Sequence, residues 1–294
     1  MLATQWSGYT LAFLAAVSWA IAPILYRRGI DHVSYAGLGA VRCAGYIATT
    51  ALFLLFTMGP GAFTPPDFRI LASIVACSLI WIVLGDFFYF SALHKLGVSI
   101  CVPITSAYPL LVVPASWIFL GERVSPMVFV AAALIVAGLI LLSPSGGNEE
   151  GRRQIRSGLV AAFLAMACWT FGILTNKLLL QMIPVPQLEW WRAVSVTIGS
   201  WAMFLMVDRA KGLGKISLRA FVEMGIAGAL GLAVGNLLFT YSLSFTPVDI
   251  VACIASVRPF LSAVFATLVL RERLTPRIAG GIILVVGGVI AITL

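Results

Sequence analysis

Three arginines, Arg42, Arg192 and Arg258, and one aspartate, Asp86, stand well inside long apolar stretches of this sequence. A charge at the centre of a bilayer costs about 2.5–3.5 kcal/mol on insertion scales, so each of these needs a partner, water or a purpose. Asp86 lies about 10 Å from the end of its stretch and Arg42 about 12 Å into the preceding one, counting 1.5 Å per helical residue from the same face. Their depths match, and they form the first expected pair. The position equivalent to Asp86 in the second half of the chain is Asn236, which cannot balance Arg192; Glu189, three residues before Arg192 on the same helix, can. Such pairs either hold helices in register or serve a solute pathway. Asp86 in a wet cavity could bind a proton or a cationic group, while Arg258, near mid-span, would attract an anionic one.

The uncharged candidates surround these. Pro109 and Pro259 occupy equivalent mid-span positions, where a missing N–H frees the carbonyls of Thr105 and Ala255. In lipid, freed carbonyls must be met by protein, water or ligand. Ser106 and Ser256 could add hydroxyls, and Tyr108 stands where Arg258 stands in the other half. Trp19 and Trp169 fall mid-span, away from the interfacial belts where tryptophan concentrates; each could stack on a solute and donate one hydrogen bond. The alternative for every one of these side chains is helix packing.

The elements that position them follow from composition. Of 294 residues, 61% are hydrophobic and 10% charged, where soluble domains carry about 25% charged residues. So few charges cannot cover a soluble surface, and the sequence is that of an all-α integral membrane protein. A crossing needs about 20 apolar residues. That ruler gives spans near 8–28, 34–58, 70–93, 97–119 and 124–143, then 157–177, 186–207, 220–244, 247–270 and 276–294. The first run is read as a span, not a cleaved signal. Five cysteines lie within apolar runs without metal-ligand or C-x-x-C spacing, and no cofactor is expected.

Offset by 150 residues, the sequence aligns with itself. Twelve of 42 positions are identical between 85–126 and 235–276, including Gly85/Gly235, Pro109/Pro259 and Glu122/Glu272, and Trp19 falls on Trp169 and Arg42 on Arg192. Residues 1–145 and 157–294 are therefore read as two five-helix repeats, joined by a polar linker at 146–156. An odd number of spans returns the chain to the opposite face, so the second copy enters the membrane inverted. Two inverted copies suit alternating access around a site at their interface; a passive channel or scramblase could share that symmetry.

The segments LGERVSP (120–126) and LRERLTP (270–276), each followed by a glycine-containing span, resemble the repeated signature of EamA-like proteins of the drug/metabolite transporter superfamily. The resemblance covers both halves and implies a ten-helix exporter or exchanger of small metabolites or amino acids. The expected partners are a small-molecule solute and membrane lipids, not nucleic acid, with the chain a monomer or a homodimer. No P-loop, deep Ser–His pair or aspartate pair is present, which argues against a pump or an intramembrane enzyme. Counting Lys and Arg, thirteen lie in loops after odd-numbered spans and only Arg69, Arg123 and Lys177 on the other face. The positive-inside rule then puts the termini outside the cytoplasm of a plasma (inner) membrane.

Overall fold

The computed structural model describes residues 2–30, 33–120, 127–142, 149–209, 216–245, 254–255, 257–270 and 275–292. These residues are helical with short connections, and no strand occurs among them. In the first repeat, α1 is Leu2–Ile30, α2 is Tyr35–Met58 and α3 is Phe68–Leu96. A broken helix follows, with α4a at Val98–Ser106 and α4b at Pro109–Leu120, and then α5 at Met127–Leu142. The second repeat has α6 at Glu149–Leu179 and α7 at Val185–Asp208. Helix α8 runs from Leu218–Gly228 through Ala229–Val234 into Gly235–Phe245. Helix α9, Arg258–Phe265, continues through Ala266–Leu270, and α10 is Pro276–Ile292. Five of these helices (α1, α2, α3, α6 and α8) hold stretches long and apolar enough to cross a membrane, and shorter apolar helices accompany them.

Equivalent helices of the two repeats run antiparallel. At the start of α2, Ser34 donates to Asp208 at the end of α7, while at the opposite end Gln187 donates to the Ala62 carbonyl at 3.2 Å. Likewise Arg277, opening α10, donates to the Leu141 carbonyl at the close of α5 at 2.9 Å. Lys95 at the end of α3 reaches Ser157 in the first turns of α6 at 2.7 Å, so those two ends share a face. The inversion deduced from an odd span count is thus present as geometry. The repeats also interlock: α1 packs along α8, and α6 along α3, so each first helix is buried against the other repeat's third. Reciprocal contacts of this kind are the mark of a two-fold relation.

Two local features differ from the sequence expectation. The stretch from Glu149 onward is not linker but the first turns of α6. Glu149 and Glu150 sit in its first turn, where carboxylates oppose the positive end of the helix dipole. Spans 4 and 9 are also more sharply interrupted than a proline kink. The chain tightens at Ala107, whose N–H reaches the Ile104 carbonyl at 3.1 Å, and again at Val257, whose N–H reaches Ile254 at 3.2 Å. Pro109 then opens α4b and Pro259 sits second in α9. A proline near a helix start loses nothing, because that N–H has no intrahelical acceptor.

Candidate functional site

Helix α3 is α-helical at both ends but π-helical over Leu79–Leu84, and α8 repeats this 150 residues later over Ala229–Val234. A π turn leaves the ladder one carbonyl short of a donor and commonly marks a functional position. On α8 the donors come from α1: Ser18 Oγ reaches the Leu230 carbonyl at 2.7 Å and Trp19 Nε1 the Gly231 carbonyl at 3.1 Å. One π bulge thereby fixes the Trp19 ring over glycine backbone. Trp169 meets α3 differently, because the residue equivalent to Gly231 is Trp81. Its Nε1 donates instead to Asp86 Oδ1 at 3.0 Å, just beyond the other bulge.

Asp86 is buried and held from two sides. Arg42 Nη2 donates to its second oxygen, Oδ2, at 2.5 Å. Arg42 itself is 2% exposed and lies over the rings of Phe90 and Tyr26, with 4.6 and 5.3 Å from guanidinium carbon to ring centre. The equivalent arginine, Arg192, is enclosed by a different set: Glu189 on its own helix, Asn176 Oδ1 at 2.5 Å, and the Trp81 ring at 4.7 Å. Glu189 further accepts from Thr240 at 3.1 Å and Tyr46 at 3.4 Å. Both arginines are therefore neutralised, one by a carboxylate that faces a cavity and one by a carboxylate that does not.

That cavity, of about 110 Å³, lies between the repeats. Its wall is arranged in equivalent pairs: Trp19 with Trp169, Pro23 with Ile173, Trp81 with Gly231, Ile82 with Leu232, Asp86 with Asn236, Tyr89 with Phe239 and Tyr108 with Arg258. A pocket lined by both members of each pair straddles the two-fold axis. Trp19 packs on Phe239 with centroids 5.0 Å apart, and Trp169 on Tyr89 at 5.2 Å, which gives two matched aromatic walls. Arg258 stands between them, its guanidinium carbon 6.0 Å from the Trp19 centroid and 5.7 Å from that of Trp169. Such distances are those of cation–π contact. Among the described residues no carboxylate lies within ion-pair distance of Arg258. The chemistry is lopsided on a symmetric frame: Asp86, Tyr89 and Tyr108 come from the first repeat, and Asn236, Phe239 and Arg258 from the second.

Of the residues expected from sequence, Trp19, Arg42, Asp86, Tyr108, Trp169, Asn236 and Arg258 therefore meet around one cavity. Ser106 and Pro259 are buried behind it at the helix breaks, away from its wall, and Arg192 with Glu189 forms a separate buried cluster. Ser256 lies outside the described residues.

The family model described as the EamA-like transporter family matches residues 6–143 and again 156–294. The chain belongs to the EamA-like transporter family. The two matches coincide with the two interlocked repeats, and the protein is a multi-pass membrane transporter. It is 26% identical to a transporter of Archaeoglobus fulgidus over 97% of either chain. It is 24% identical to a protein of Lactobacillus johnsonii described as a sugar uptake protein, over 97% of this chain and 99% of the relative. A solved crystal structure superposes with a TM-score of 0.69 over 99% of this chain and 98% of its own, at 17% identity, a likeness of fold.

In this EamA-like transporter, sequence reasoning missed Tyr26, Trp81, Tyr89 and Phe239 in the cavity wall and Asn176 and Thr240 around Arg192–Glu189. Each looks like helix packing in an apolar run. The available signal was the alignment of the halves: Tyr89 on Phe239 and Tyr26 on Asn176 are aligned positions at which only one repeat carries a given polar group.

Proposed function

We propose that this EamA-like protein is a secondary carrier, an exporter or exchanger, that moves a small organic metabolite by alternating access between its inverted repeats. Amino acids and related compounds are the solute class we read. One observation carries the mechanism. Trp19 and Trp169 are equivalent by sequence and share one cavity, yet Trp19 holds a backbone carbonyl and Trp169 holds Asp86. Sequence sets that difference, since Trp81 and Asp86 stand where α8 has Gly231 and Asn236, but the frame around it is two inverted copies enclosing one cavity, the architecture suited to alternating access. The solute sits between the aromatic walls, and rocking of the interlocked helices exposes it to each face in turn. Proton coupling through Asp86 belongs to the same proposal.

Counterflow in proteoliposomes tests it. Trans solute accelerates entry of labelled solute through a carrier, whereas a passive pore of the same symmetry shows no acceleration. A second reading follows from the relatives described as sugar uptake proteins: the solute would be a neutral polyol stacked on Trp19 and Trp169. A panel containing sugars and amino acids separates the two.

A further inference from the structure

The cavity wall holds three charged side chains. Asp86 and Arg42 cancel at 2.5 Å, which leaves Arg258 as the charge without a counter-charge among the described residues. A cation in an apolar, half-enclosed pocket is costly without a counter-charge, and its two aromatic neighbours offer only partial compensation. Unpartnered donors also lie buried in the wall around it, Arg42 Nε among them. Tyr89 lines the cavity and packs its ring on Trp169; its hydroxyl is buried in the wall without a partner, and so is Arg258 Nε, so a solute reaches either only as the wall shifts to receive it. The Asn236 amide lies in the same wall.

We infer that the solute is a compact molecule recognised through a single carboxylate group, which pairs with Arg258 and accepts from Tyr89 while its apolar portion lies between the Trp19–Phe239 and Trp169–Tyr89 walls. This rests on the carrier reading and names its substrate class. One guanidinium balances one negative charge. A dicarboxylate or a phosphate dianion would bring a second, unpaired charge beside Asp86, and a cation would meet Arg258 directly. A neutral polyol would leave the guanidinium as uncompensated as it found it. The guanidinium fork is shaped for a carboxylate, and the two aromatic walls that flank it suit a compact apolar remainder.

Binding to the purified full-length protein reads this directly, through quenching of tryptophan fluorescence and ligand-induced thermal shift. The probes are propionate, benzoate and leucine as monocarboxylates, benzamide and glucose as neutral molecules, benzylamine as a cation, and succinate and inorganic phosphate as dianions. Monocarboxylates bind saturably and about tenfold or more tighter than benzamide, as a charge-assisted hydrogen bond requires. Arg258→Gln removes that preference, Arg258→Lys keeps part of it, and Tyr89→Phe, which leaves the cation in place, weakens binding by about three- to tenfold. The inference is overturned if glucose or benzamide binds as well as benzoate, if succinate or phosphate is preferred, or if benzoate binding survives Arg258→Gln unchanged. Counterflow of glucose that ignores Arg258→Gln overturns the substrate class and leaves the carrier standing. Carboxylate binding without trans acceleration keeps the substrate class and removes the carrier.

Discussion

Trp169 donates its indole N–H to Asp86 at 3.0 Å across the interface of α6 and α3, and so ties the first helix of one repeat to the buried carboxylate of the other. Arg42 takes the second oxygen of that carboxylate, which makes Asp86 the joint of three helices from both repeats. Asp86→Asn keeps an acceptor for Trp169 but strips Arg42 of its counter-charge in a buried setting. Breaking one side of a buried pair costs about 3–5 kcal/mol. Thermal unfolding in detergent is expected to show a large drop for Asp86→Asn, most of it recovered when Arg42→Met is added. Transport is not recovered in the double variant if the pair serves the solute pathway; recovery of both together would make the pair purely structural.

Trp19→Phe and Trp169→Phe are expected to differ despite their sequence equivalence. Both keep the aromatic wall. Trp19→Phe releases the Gly231 carbonyl, which costs about 1–3 kcal/mol if no water replaces the donor. Trp169→Phe frees one oxygen of Asp86, a charged acceptor facing the cavity, and changes the chemistry of the site as well as its stability. Initial transport rates in proteoliposomes with and without an imposed pH gradient separate the two: the effect of the gradient is lost in Asp86→Asn, reduced in Trp169→Phe and kept in Trp19→Phe. An equal response to the gradient in all three would remove Asp86 from proton coupling.

Much of this was legible before any coordinates, for identifiable reasons. Charges within apolar runs are rare and must be answered, so Arg42, Asp86, Glu189 and Arg192 announced their partners through depth and spacing. The duplication announced the inversion through parity alone. What stayed hidden was side-chain chemistry that resembles packing. Tyr89 and Phe239 read alike in an apolar helix; aligning the halves exposes the extra hydroxyl, but only the fold puts the two rings in one cavity wall. The π bulges were nearly as silent, since Leu79–Leu84 carries no proline or glycine and Ala229–Val234 only Gly231. The helix breaks were half visible: proline marks them, but the tightening at Ala107 and Val257 comes first.

The crossing of α2 and α8 predicts a steep contrast among glycines. A Cβ on Gly45 would lie 1.8 Å from the Gly225 carbonyl oxygen, and one on Gly228 would lie 1.9 Å from that of Arg42. Backbone cannot yield as a side chain can, so Gly45→Ala and Gly228→Ala separate the two helices at the Arg42 level, at a cost at or above about 3 kcal/mol. Gly39, which has no atom within 4 Å of its added Cβ, accepts alanine freely. Yield of monodisperse protein and its unfolding temperature read the difference; a well-behaved Gly228→Ala would show that these helices do not cross so closely in the membrane.

Which helix ends share a face sets the test of membrane orientation. Lys95 with Ser157, Ser34 with Asp208 and Leu141 with Arg277 mark one side, and Ala62 with Gln187 marks the other. The first side also carries most of the arginines and lysines that flank the apolar stretches, among them Arg152, Arg153, Arg156, Arg209 and Arg219. Anionic headgroups and the insertion machinery both favour retaining such residues in the cytoplasm. In a background without the native cysteines, Ser157→Cys is therefore expected to resist an impermeant maleimide on intact cells and to react once the membrane is opened. Thr64→Cys, on the turn that follows α2, reacts from outside. The opposite pattern would invert the assignment without touching the cavity, because turning the chain about a two-fold axis in the membrane plane leaves a pocket on that axis at the same depth.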